Sequence, residues 1–151
     1  MCSYVVLLRG VNVGKAKRVP MADLKALLLR LGCSDVTTVL NSGNAVVTLR
    51  SSSADTLAQD VGAAIRSTFG FDVPVVVKSA RALRTIVLGN RLISSSTNPS
   101  RMLVAFAQTS RALRALEPIT RTVRGALEAV AWAKAGIASA VKTSTTRPMA
   151  H

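Results

Sequence analysis

The residues with the most chemical promise sit in one loop near the N-terminus. From position 9 the chain reads Arg9-Gly10-Val11-Asn12-Val13-Gly14-Lys15-Ala16-Lys17-Arg18, directly after an apolar run. Glycines let backbone amides approach a bound anion, and flanking cations add an attractive field. Arg9, Gly10, Asn12, Gly14 and Lys15 are therefore candidate ligand-binding residues, suited to capturing an anion or a polar ligand. The loop is not a Walker phosphate loop: its glycines are wrongly spaced, and Ala16 stands where a metal-binding hydroxyl would have to follow Lys15. A second cluster, Asn41-Ser42-Gly43-Asn44, has the composition of a tight turn and adds Ser42, Gly43 and Asn44 to the candidates. Turn geometry alone also selects these residue types, since glycine adopts left-handed backbone freely and asparagine bonds its own backbone.

Residues that usually make and break bonds are scarce. The lone histidine is His151, the last residue, so imidazole acid–base or triad chemistry has little to rest on. The two cysteines, Cys2 and Cys33, lack the spacing of a zinc or redox motif and read as reduced thiols. Cys33 follows an expected helix C-terminus, where the negative end of the dipole disfavours a thiolate. The seven carboxylates are Asp23, Asp35, Asp55, Asp60, Asp72, Glu117 and Glu128, most of them at expected helix starts or turns, where capping or solvation accounts for them. No cofactor or metal is implied. An enzyme built on this chain would rely on electrostatic stabilisation by Arg9, Asn12 and Lys15 with Ser42 and Asn44. With no general base in sight, that reading ranks below a binding module.

The elements that must position these loops follow from periodicity. Ser3 to Leu8 is a continuous apolar run, the pattern of a strand inside a sheet. Pro20 opens a helix whose Met21, Leu24, Leu28 and Leu31 recur at helical spacing, and Gly32 stops it. Val36–Leu40 and Ala45–Leu49 form a hairpin across the Asn41–Asn44 turn. Ser51 to Ser53 supply an N-cap for a second helix with Leu57, Val61 and Ile65 inward, ended by Gly70. Val73 to Lys78 is a fourth strand, and Pro74 within it points to a sheet edge. This β-α-β-β-α-β order is that of an α+β, ferredoxin-like sandwich with an antiparallel sheet in the order 4-1-3-2. In that order the loop after the first strand, the hairpin turn and the approach to the fourth strand all emerge at one end, which brings the two candidate clusters together with Gly70–Asp72 behind them.

The chain of 151 residues is then divided into a first unit, 1–78, and a smaller, shortened α/β unit, 79–151. In the second unit Ser79–Gly89 reads as a helix, Arg91–Ser100 as a loop, Met102–Ala107 as a strand, and Ser110 as the cap of a short helix ended by Pro118. Ala126–Val141 is Ala-rich and reads either as a helix or as a strand over Ala129–Ala133. The net charge of +13 is unevenly spread. Residues 1–78 hold nine Lys/Arg against five Asp/Glu, whereas residues 79–151 hold eleven against two. Hydrophobic residues make up 49% of the chain, which excludes intrinsic disorder, whereas aromatics make up 3%, which leaves little to stack nucleobases on.

Several segments together resemble a widespread bacterial family, domain of unknown function 1697. Leu7-Leu8-Arg9-Gly10-Val11-Asn12-Val13-Gly14, Met21 with Leu24, and Leu31-Gly32 resemble its opening; Ser42-Gly43-Asn44 resembles its SGN hairpin; Phe69-Gly70-Phe71-Asp72-Val73-Pro74-Val75 resembles its next strand. The likeness covers residues 4–79. It implies a ferredoxin-like first half with a related second half, and no activity. Thr145-Thr146-Arg147 match the start of a C-terminal family signature, which adds Arg147 to the candidate ligand residues, whereas Pro148 to His151 depart from it. The chain is expected to stop short of the family's further helix.

The expected partner is an anionic small molecule or a nucleic acid. The central strands carry Tyr4 but no aromatic pair of the kind that RNA-recognition sheets use. An exposed edge, the second strand (Val36 to Leu40) or the fourth, could instead pair with a partner chain, and a shortened second half could leave apolar surface uncovered and favour a homodimer. No signal peptide is expected, because Tyr4–Leu8 is short and lacks a basic flank, and Ala126–Val141 is too short and charged to span a bilayer. A cytoplasmic protein without membrane partners is the expectation.

Overall fold

A computed structural model describes residues 1–50, 52–90, 102–106, 111, 127–133 and 137–142. The chain divides into two compact units, Met1–Leu83 and Arg84–His151. In the first, β1 (Cys2–Leu8) leads to α1 (Met21–Arg30), β2 (Ser34–Val39), β3 (Asn44–Leu49), α2 (Ala54–Phe69) and β4 (Val75–Ser79), with α3 (Ala80–Gly89) following. The sheet order is β2-β3-β1-β4 and every pairing is antiparallel. This is the ferredoxin-like order that the sequence predicts, read from the opposite edge.

Alternation along the strands fixes one buried face. Tyr4, Val6 and Leu8 of β1, Ala45 and Val47 of β3, and Val75 and Val77 of β4 are buried. They share one core with Leu24, Leu27 and Leu28 of α1 and Leu57, Val61 and Ile65 of α2. On the opposite face the register sets Val5 against Val46 and Lys78. Full burial of a Leu or Ile side chain stabilises by about 1.5–3 kcal/mol, so these two helical faces supply much of the unit's cohesion.

The helix ends are closed by local chemistry. At the end of α1 the Gly32 amide donates to Leu29 O (3.0 Å) and the Cys33 amide to Leu28 O (3.1 Å). With Gly32 at φ +84°, these two bonds make a Schellman motif, and Cys33 is its buried apolar residue. Ser53 Oγ accepts from the Thr56 amide (3.0 Å) to start α2, and Gly70 in left-handed backbone ends it. Ser79 Oγ accepts from the Ala82 amide (3.2 Å) at the start of α3.

Several strand boundaries shift by one or two residues from expectation, β2 beginning at Ser34 and β4 at Val75 among them. Pro74 lies just before β4 and outside the sheet ladder, where its missing amide proton costs no pairing. The hairpin turn is Leu40–Gly43, with Asn44 already paired to Val39. Leu40 itself takes left-handed backbone, φ +57°.

In the second unit β5 (Met102–Phe106), β6 (Leu127–Ala133) and β7 (Ile137–Lys142) form an antiparallel sheet in the order β5-β7-β6. The helical alternative for Ala126–Val141 is thus overturned: residues 127–133 and 137–142 are two strands paired to each other. The expected loop over Arg91–Ser100 and the expected cap at Ser110 lie outside the described residues.

Gly32 has room for a methyl group: a Cβ added there would lie 4.0 Å from its nearest neighbour, Leu49 Cδ1. Gly32→Ala therefore carries only the left-handed backbone cost. It should lower unfolding free energy by about 1–2 kcal/mol in urea titration, with an unchanged dependence on denaturant.

Candidate functional site

The loop Arg9–Arg18 leaves the sheet between two neighbours of β1. The Leu8 amide donates to Gly43 O (3.0 Å) on one side, and the Arg9 amide donates to Pro74 O (3.0 Å) on the other. The convergence that topology predicts is therefore present: the loop, the hairpin turn and the approach to β4 meet at one end of the sheet. Gly10 (φ +73°) turns the chain away, and Val11 folds back to bury itself against Gly43.

Asn12 holds the loop closed. Its Nδ2 donates to Val19 O (2.8 Å) and to Asn41 O (3.0 Å), while its Oδ1 accepts from the Val19 amide (2.9 Å). Its own amide donates to Lys17 O (3.1 Å). The side chain thus pairs with Val19 as a neighbouring strand would, and ties the loop to the hairpin in the same stroke. Val19 is fully buried, so these bonds satisfy a backbone that water does not reach. Asparagine tolerates the left-handed backbone found here, φ +57°. With both amide protons and the carbonyl engaged, Asn12 shapes the loop and has little left to offer a ligand.

The remaining candidates divide clearly. Gly43 is buried, at φ +79°, and a Cβ there would lie 2.5 Å from Val11 Cγ2 and 2.8 Å from Leu8 Cβ. Its role is close approach. Gly10 and Gly14 (φ +68°) have nothing within 4 Å of a Cβ, so their surroundings are open. Asn44 Nδ2 donates to Ser42 Oγ (2.9 Å), bracing the turn. Arg9 and Lys15 are exposed, and no ion pair reaches either among the described residues. Arg147 lies outside the described residues.

Sequence reasoning missed two features. Lys17 Nζ donates to Asp72 O (3.0 Å), which straps the loop to the turn before β4, and the Asp72 carboxylate is itself paired with Arg66. Leu40 and Val13 are large apolar residues left 80% and 75% exposed, next in sequence to the bonded Asn41 and Asn12. A single chain offers no periodic signal for either.

The titratable groups that are shifted lie outside the Arg9–Arg18 loop and the hairpin turn. Burial pushes the Cys33 thiol above its ordinary range, and burial, followed by the neighbouring Cys2, does the same to the Tyr4 hydroxyl, which donates to Ser52 O. Among the described residues no group of histidines, cysteines and carboxylates could hold a metal ion, and no helix is long and apolar enough to cross a membrane.

Comparison with known proteins adds three findings. The model of a family described as "Protein of unknown function (DUF1697)" matches residues 1–137. A solved structure, that of the conserved bacterial protein SP0830 from Streptococcus pneumoniae, is similar with a TM-score of 0.74 at 21% identity, over 94% of this chain and 78% of that one. No curated protein matches the chain.

Two substitutions separate the loop's supports. Gly43→Ala meets both the backbone cost and the clash with Val11 and Leu8, and should destabilise by about 2–4 kcal/mol, clearly more than Gly32→Ala. Asn12→Ala strips the buried Val19 backbone of its partner and should cost about 2–4 kcal/mol, whereas Asn12→Asp keeps only the acceptor and recovers little. Equilibrium denaturation checks both, and equal losses at Gly32 and Gly43 would contradict the packing argument.

Proposed function

Because the chain belongs to the DUF1697 family, proteins of unknown function, we propose a role from the geometry of its own loops: a binding module for an anionic, phosphate-bearing ligand, a nucleotide or nucleic-acid phosphate. The observation that carries this reading is the charge of the Arg9–Arg18 loop. Arg9, Lys15, Lys17 and Arg18 fall within one closed loop, the sequence has no acidic residue before Asp23, and no ion pair reaches any of the four among the described residues. Such a loop attracts anions by field alone, and its glycines add backbone amides where the surroundings are open.

Roles follow from what each residue has left to give. Arg9 and Lys15 are the contacts, since both are exposed and in no ion pair among the described residues. Ser42 Oγ accepts from Asn44, so its own proton remains to donate to a phosphate oxygen. Asn12 and Gly43 position the other residues. No side chain caps α1, because Pro20 stands at its N-cap, so first-turn amides add to the favourable field. Asp23 in that turn works against it.

The test is binding of inorganic phosphate, nucleoside triphosphates and a short labelled oligonucleotide, read by thermal shift and fluorescence anisotropy. Wild type should be stabilised, and affinity should fall as salt rises. Arg9→Ala and Lys15→Ala should each weaken binding by about tenfold and reduce the salt slope by about one counterion. Stabilisation of wild type and both variants to the same extent would place the ligand elsewhere; no binding at low salt would end the reading.

A further inference from the structure

Among the described residues β2 closes one edge of the sheet, with β3 as its single neighbour. Edges of this kind are commonly guarded by lysine, proline or a bulge, because an unpaired row of backbone groups accepts another strand. Here the guard covers only the beginning. The register shift between Ser34 and Thr37, with Asp35 at φ +50°, twists the start of β2, whereas Thr37, Thr38 and Val39 pair with β3 in unbroken sequence. From Val36 the segment reads Val-Thr-Thr-Val-Leu, without charge, glycine or proline. In a protein of net charge +13, no Lys or Arg lies between Leu31 and Leu49. Thr37, Val39 and Leu40 are exposed, Val39 by 43% and Leu40 by 80%.

We propose that this edge is a self-recognition surface, on which a second copy of the chain adds its own β2 in antiparallel orientation. Charge selects both the partner and the direction. Asp35 is exposed and in no ion pair among the described residues. A parallel copy would set Asp35 beside its own counterpart. An antiparallel copy centred on Thr38 sets Thr37 against Val39 of the second copy, a β-branched pair on one face. It also carries each Asp35 to the Asn41 end of the other strand. Asn41 is bonded to Asn12 of the cationic loop, so each carboxylate is carried toward the loop-bearing end of the other copy, although Lys17 itself is engaged at Asp72 on the far side of the sheet. The two contacts repeat through a two-fold axis, as an isologous interface requires. The pairing segment is short, so the buried area falls below the ~1,200 Å² typical of stable complexes, and the dimer is weak and concentration-dependent. This inference does not rest on the anion-binding reading.

Sedimentation velocity on the full chain, from about 10 to about 500 μM at physiological salt, reads the association directly. Wild type should rise toward the dimer mass with concentration. Val39→Lys, which places a charge on the edge at an exposed site, should stay monomeric throughout, with circular dichroism confirming an unchanged fold. Asp35→Lys should weaken association by about tenfold. Val46→Lys lies on β3, one strand in from the edge and opposite Thr37, with 40% exposure, and should keep most of the association that Val39→Lys loses. A wild type monomeric at the highest concentration overturns the proposal. So does loss of association in Val46→Lys equal to that in Val39→Lys, since contact would then run through the sheet face. Association of wild type only when an acidic extended peptide is added assigns the edge to a foreign strand and overturns it equally.

Discussion

A long loop cannot leave the centre of a sheet without stranding backbone groups, and in this protein one carboxamide answers that constraint. Asn12 bonds the Val19 backbone in both directions and reaches Asn41 in the hairpin. Val19 can then be fully buried, which seals the end of the core beneath the loop. The remaining straps, Leu8 to Gly43, Arg9 to Pro74 and Lys17 to Asp72, each tie one further segment to the same end. The loop is therefore a braced part of the sheet, and most of the bracing comes from contacts that its cationic groups do not make.

The bracing explains how the glycines divide. Gly43 sits under Val11 and Leu8 with no space for a side chain, while Gly10 and Gly14 face open surroundings. All three look alike in the sequence, and all three adopt positive φ. Only neighbours brought from elsewhere in the chain distinguish a packing glycine from a turning one. A motif of glycines therefore overstates ligand chemistry when read alone, and the charged residues between them carry more of the functional argument.

Much of the first unit is legible because local chemistry and tertiary pattern agree there. Leu24 and Leu28, then Leu57, Val61 and Ile65, mark the buried helical faces, and Gly32, Ser53 and Gly70 mark helix ends. The meeting of the two loop clusters also follows from strand order alone. Less legible were features set by distant partners. Pro74 reads as a strand residue because its valine neighbours are β-formers, yet the ladder starts one residue later. Residues 127–133 and 137–142 are rich in alanine, which favours helix in isolation, and pairing between the two segments overrides that preference. Asn12 has the look of a ligand residue until its side-chain bonds to Val19 and Asn41 are counted.

The end of α1 has a consequence of another kind. Cys33 lies in the Schellman turn, with its amide bonded to Leu28 O and its side chain in the core. An oxidant or alkylating reagent can reach that sulfur only after the last turn of the helix has come undone. The thiol is thus a natural reporter on local opening: its modification rate tracks how often α1 frays from the sheet, while exposed Cys2 reports the intrinsic reactivity of a thiol in the same molecule.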